Sequence, residues 1–193
     1  GYLAPASQMA RQTIRGLEAL EVDWIVSTST SCLAAVQHDY PRLLRAEPAW
    51  AARAAAVAAK VIDLARFIDR HAPNRPGARD ALEAVTIHDT CQSKHALGIG
   101  LEIRRLLQAV GYAVVEAPPS GECCGFGGSF SFDHPEVAQR MRRRKLAAFA
   151  ETGAEVVCVD NPGCLLHLRC GPRVPGAPQP MHLAELLARS TGP

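Results

Sequence analysis

No stretch of this 193-residue chain is long and apolar enough to cross a bilayer, and no secretion leader is visible. The sequence thus shows neither mark of a membrane-spanning or exported protein. It also lacks an excess of either charge. Its 21 Lys and Arg against 19 Asp and Glu leave a net +2, which argues neither for nor against a nucleic-acid partner. Lysine is scarce, with only Lys60, Lys94 and Lys145, so the basic residues are overwhelmingly Arg. The first residue is Gly1, with no Met and no charged leader, as in a fragment. What is present is 48% hydrophobic and 21% charged residues, the balance of a globular chain long enough for one good core.

Cysteine is not scarce. Seven occur, at 32, 91, 123, 124, 158, 164 and 170, an odd number at irregular spacing. Without a secretion leader they suit metal or redox chemistry better than a disulfide framework. Cys123 and Cys124 are adjacent in "SGECCGFGGSF". Neighbouring Cα atoms are about 3.8 Å apart, below the roughly 4.4–6.8 Å of a relaxed disulfide. Two adjacent thiols therefore reach for something other than each other.

Periodicity predicts a helix over residues 7–20, a strand in "DWIVSTS" and a helix from "SCLAAV" that Pro41 interrupts. From Ala49 to Arg70 apolar residues recur at Trp50, Ala54, Val57, Val61, Leu64 and Ile68, the spacing of one helix of five turns. "HAPNRPGARD" (71–80) reads as a linker. After it come strand "EAVTIH", a helix over 97–110, strand "YAVVEA", the glycine-rich loop, a helix from Pro135 to Thr152, strand "AEVVCVD", a helix from "NPGCLLHL", and a short strand and helix in "PMHLAELLAR". Alternation with such short connections implies an α/β fold of parallel sheets with flanking helices. "EVDWIVSTSTSCLAAV" also lies over "GAEVVCVDNPGCLLHL" when Cys32 is set on Cys164. The expected organisation is thus a tandem repeat truncated at its front: residues 1–48 end a first copy, 49–80 connect, and 81–193 form a complete second copy. The strand in "DWIVS" is then left with an edge that must stay short, be blunted or pair with another molecule, so self-association is open to the chain.

Cys91, Cys123, Cys124 and Cys164 each follow a strand of the second copy. They share the carboxyl edge of one parallel sheet, where open α/β sheets place ligands. Cys164, behind Pro162 and Gly163, opens a helix whose dipole favours a thiolate. Four converging thiolates suit zinc or an iron–sulfur cluster, and spacing alone does not choose between them. Gly125, Gly127 and Gly128 would let backbone approach a bulky group. His88 in "HDTC" is a possible further ligand, against the plainer role of a strand-end His bonded to a loop. His95, His134 and His167 could donate to such a site but are individually structural. Cys158 lies in an apolar strand and Cys170 near a helix end, so neither is taken as a ligand. The run "RMRRRK" (140–145) is read as a solvated helix face, and no nucleic-acid partner is expected. "GFGG" is no dinucleotide fingerprint, since Phe130 stands at its third glycine.

The spacing of Cys91, "CCG" at 123–125 and Cys164, with "HDTC", "ECCGFGGSFS", "NPGCLLHL" and "MHLAELLA" in order, resembles the CCG or cysteine-rich domain of iron–sulfur oxidoreductases. The family includes the cysteine-rich component of heterodisulfide reductase and the iron–sulfur subunit of glycolate oxidase, and the motifs look most like those of lactate utilisation proteins. The resemblance implies an iron–sulfur electron-transfer subunit of L-lactate or 2-hydroxy-acid oxidation, in a cytoplasmic complex with other subunits. Its cluster, of the 4Fe-4S type, would be held by Cys91, Cys123, Cys124 and Cys164. Relatives with five cysteines carry one at position 161, which is Asn161 here, so Asn161 or His88 could complete the site. Cys32 matches the ligand position of the first copy and reads as a free thiol without its companions. Two other readings are a heterodisulfide-reductase-like thiol/disulfide subunit and a structural zinc module for assembly. No convergent Arg/His pair stands out for a hydroxy acid, so the chain itself is not expected to bind lactate.

Overall fold

The structure, a computed structural model, describes residues 2–72, 83–118 and 123–191. Helix α1 (Leu3–Glu18) leads to strand β1 (Ile25–Ser27). Helix α2 (Thr30–Ala34) passes through a π-helical segment, Ala35–Asp39, into α3 (Tyr40–Leu43). Pro41 therefore does not interrupt this helix. The wide turns ahead of it absorb the missing N–H that would break a regular α-helix.

The helix expected over residues 49–70 is three elements instead: α4 (Pro48–Lys60), β2 (Val61–Asp63) and α5 (Leu64–His71). Pro48 occupies the first turn of α4, where its missing N–H costs nothing. The β-branched pair Val61-Ile62 extends and is buried. Asp63 then caps α5, its side chain accepting the Arg66 N–H at 2.8 Å. Of the linker expected at 71–80, residues 73–80 lie outside the described residues.

The second part runs β3 (Ala84–His88), a π-helical segment (Gln92–Leu97), α6 (Gly100–Ala109), β4 (Ala113–Val114), α7 (Phe130–Asp133), α8 (Pro135–Ala150), β5 (Val156–Val159), α9 (Pro162–Arg169), β6 (Gln179–His182) and α10 (Leu183–Thr191). β1 and β2 form one parallel pair, and the other sheet has the order β4-β3-β5-β6 with every pair parallel. Ser27 lies beside Asp63 as Val159 lies beside His182, each pair at its strands' carboxyl ends with a helix following. β2 and α5 thus stand to β1 as β6 and α10 stand to β5. β1 is only three residues long, which keeps its edge short.

One hydrophobic core joins both sheets, running from Ala10, Ile14 and Leu33 through Val61 and Val85 to Cys158 and Leu186. β5 divides by side-chain alternation. Val156 and Cys158 face that core, whereas Val157 and Val159 join Cys124, Leu146, Phe149 and Leu168 in a second one. The adjacent cysteines rest on this second core.

The basic run on α8 is not wholly solvated. Arg142 is 2% exposed and Lys145 is buried beside the Phe149 ring. Arg142 donates to the carbonyls of His167, Leu168 and Pro172 at 2.9–3.0 Å, satisfying the free end of α9.

Candidate metal centre

Strand β3 delivers the first donors. Beyond it, Asp89 takes two 2.9 Å hydrogen bonds from Arg104, which also grips Glu116. Thr90 Oγ1 lies 2.7 Å from Ser93 Oγ and 3.3 Å from Thr30 Oγ1. The turn is thereby pinned on both sides. It leaves His88 buried at the strand end and Cys91 exposed where the π-helical segment begins.

The loop before α7 brings the adjacent pair. Cys124 is 1% exposed, Cys123 half-buried, and the Gly125 N–H donates to Cys123 Sγ at 3.4 Å. Gly125 has φ 97°, and a Cβ there would sit 2.5 Å from the Ala138 carbonyl oxygen. Glycine at 125 is therefore required by close approach to α8 as well as by its left-handed backbone.

Helix α9 supplies the last thiol. Asn161 Oδ1 accepts from the N–H groups of Gly163 (3.0 Å) and Cys164 (3.4 Å), and Asn161 Nδ2 donates to Thr30 Oγ1 at 3.2 Å. The amide that could have been a ligand is spent as a helix cap and as a tie to the first sheet. A Cβ on Gly163 would strike the Phe126 ring, so its absence seats the loop on the head of α9.

A ring nitrogen of His88 and the sulfurs of Cys124 and Cys164 lie within 4.8 Å of one another. Cys91 and Cys123 are near enough to this group to act electrostatically on Cys164. Burial pushes the Cys123 thiol up to about 11, and the neighbouring Cys124 and Cys91 add to the shift. Cys124 is shifted strongly down, first by a hydrogen bond from Cys164, then, against the cost of burial, by His88 and the Phe126 N–H. Cys164 moves the opposite way for the same reason, since it is the donor. The downward shift thus falls on Cys124 and not on the helix-head Cys164, where the dipole argument expects it.

The buried donors fit a metal group. Both ring nitrogens of His88 lack a hydrogen-bond partner although the residue is 2% exposed. The thiols of Cys124 and Cys164 lie close to one of them, with those of Cys91 and Cys123 near Cys164, a soft donor set for iron–sulfur clusters or zinc.

The remaining candidates lie elsewhere or are otherwise engaged. Cys32 is exposed on α2 and Cys170 is exposed after α9. Cys158 is wholly enclosed in β5, and burial drives its thiol far up. His95 and His134 are exposed, and His167 bonds the Ala138 carbonyl oxygen at 3.3 Å. One residue the sequence did not single out belongs beside the site. Asp160 follows β5, is 6% exposed, and burial lifts its carboxyl to about 6, the Thr90 and Ser93 hydroxyls only partly offsetting this. A carboxylate closing an apolar strand directly before an N-P-G cap was the signal for it.

Residues 85–169 match the cysteine-rich (CCG) domain family, a span containing His88 and all four cysteines of the site. The chain is 34% identical over 190 residues to lactate utilization protein A of an Exiguobacterium species, covering 97% of this chain and 77% of that protein. Lactate utilization protein A of Bacillus subtilis is 32% identical over 194 residues, covering 97% and 78%. A protein of the same bacterium named as a probable glycolate oxidase iron-sulfur subunit is 31% identical over 192 residues, covering 96% and 43%.

Proposed function

The chain belongs to the family of lactate utilization protein A, and from that premise we propose that it is an iron–sulfur electron-transfer subunit of L-lactate or related 2-hydroxy-acid oxidation. The observation carrying this reading is the convergence of Cys91, Cys123, Cys124 and Cys164, from three separate strand ends, around a buried and otherwise unpartnered His88. A bound 4Fe-4S cluster would accept and return single electrons there. Cys124 and Cys164 would hold it from the apolar side, where Leu146, Phe149 and Val159 exclude water. Cys91 and Cys123 would hold it from the open side, the exposed Cys91 marking the face toward an electron partner. Other subunits would supply the hydroxy-acid site. In this reading the subunit works in the cytoplasm, where the thiols a cluster needs stay reduced. No described helix is long and apolar enough to cross a membrane.

The strand pairing also bears on the domain division. We place the end of the first repeat at about residue 71, after β2 and α5, where the sequence alone suggested residue 48.

A structural zinc site is the second reading, favoured by the compactness of the His88, Cys124 and Cys164 group, which suits a tetrahedral ion. Iron, acid-labile sulfide and zinc measured on anaerobically purified chain separate the two. Iron and sulfide in comparable amounts are expected. Stoichiometric zinc without sulfide would replace the electron-transfer reading, and no metal of either kind would overturn both.

A further inference from the structure

His88 is costly as it stands. Neither ring nitrogen of this buried imidazole meets a hydrogen-bond partner at normal geometry, although His88 stands near enough to Cys124 to lower its thiol, so the ring is under-satisfied by the protein alone. Its surroundings restrict that partner. Phe149 meets the ring edge-on at 5.9 Å between centroids and offers no acceptor. One ring nitrogen lies within 4.8 Å of the sulfurs of Cys124 and Cys164. Asp160 is near enough to act on the imidazole electrostatically, but neither of its carboxylate oxygens hydrogen bonds to the ring. Asn161 is occupied on both sides of its amide, and the Thr90 and Ser93 hydroxyls bond to each other.

Chain geometry aims the ring at the same place. His88 is the last residue of β3, paired with Val159 of β5, and Cys164 opens the helix after β5 while Cys124 packs against it. Three donors from three elements therefore enclose one point on the apolar side of the site. Cys123 and Cys91 lie nearer solvent and act electrostatically on Cys164.

We propose that His88 binds the metal centre directly through a ring nitrogen, so that the donor set is one imidazole and four thiolates. The inference rests on the reading that this site holds metal. An imidazole is neutral where a thiolate is charged, so its presence raises the reduction potential of a cluster relative to an all-thiolate site.

Cobalt(II) tests this, since it is paramagnetic in thiolate–imidazole sites and needs no reduction. The full metal-free chain is loaded anaerobically with cobalt(II). Thiolate-to-cobalt absorption reports sulfur ligation, and proton NMR reports any strongly shifted, water-exchangeable imidazole N–H. The wild type is expected to show both. His88→Gln and His88→Cys are expected to retain the thiolate absorption and lose the shifted N–H, with circular dichroism checking the fold. Thiolate absorption without a shifted N–H, or a shifted N–H that persists in either folded variant, would overturn the proposal and leave the metal site standing. No thiolate absorption in the wild type would overturn both.

Discussion

Asn161 Nδ2 donates to Thr30 Oγ1 across 3.2 Å, joining the head of α9 to the head of α2. Its Oδ1 meanwhile receives the Gly163 and Cys164 N–H groups. One amide thus caps the helix that carries Cys164 and ties together the carboxyl edges of the two sheets.

If Asn161 is a cap and not a ligand, Asn161→Ala should cost about 1–2 kcal/mol in urea unfolding and leave the metal per chain unchanged. Asn161→Asp, which keeps the cap acceptor, should recover part of the loss. Complete loss of metal with unaltered stability would make Asn161 a ligand after all.

Gly125 and Gly128 both have positive φ, but only Gly125 faces a backbone oxygen at 2.5 Å from an added Cβ, whereas nothing lies within 4 Å at Gly128. Gly128→Ala should cost roughly 1–2 kcal/mol from the left-handed backbone alone. Gly125→Ala should cost more and should lower metal content, because the loop must leave α8 and move Cys124 with it. Thermal unfolding and metal analysis of the two variants check the ordering, and equal effects would contradict it.

Asp160 gives a pH dependence. Its carboxyl stands at about 6 in the folded chain because burial disfavours the charge, against about 3.9 when unfolded. A raised folded value means the folded state holds the proton more tightly. The stability from this group is present below about pH 4 and is lost as pH rises through about 6, a swing on the order of 3 kcal/mol. Asp160→Asn in the metal-free chain should flatten the stability profile over that window and be at least as stable as wild type at pH 7. An unchanged profile in urea titrations would show that Asp160 is not the group responsible.

The strand ends and the thiols were legible in the sequence because each rests on a local pattern. Apolar runs such as "VVCV" bounded by turn residues mark strands, and the residue just past each run lies on the carboxyl edge. β2 was hidden for an equally physical reason. Trp50, Ala54, Val57, Val61, Leu64 and Ile68 keep helical spacing across the break, so periodicity alone cannot see a three-residue strand. The β-branched pair Val61-Ile62 followed by Asp63 three residues before Arg66 was the available clue. The inward turn of Arg142 was invisible because its partners are carbonyls of α9, remote in sequence. The engagement of Asn161 with Thr30 depends on how the two sheets meet, 131 residues apart. Its capping role, by contrast, is written in "NPG".

The central claim is that the thiols gathered at the strand ends, and not the one inside β5, hold an iron–sulfur cluster. Iron and sulfide per chain in Cys124→Ser and Cys158→Ser, reconstituted anaerobically beside wild type, test it most directly. Cys124→Ser should lose most of both, because a buried thiolate is removed from the donor set, while Cys158→Ser should load as wild type does. Full loading of Cys124→Ser, or loss confined to Cys158→Ser, would contradict the account.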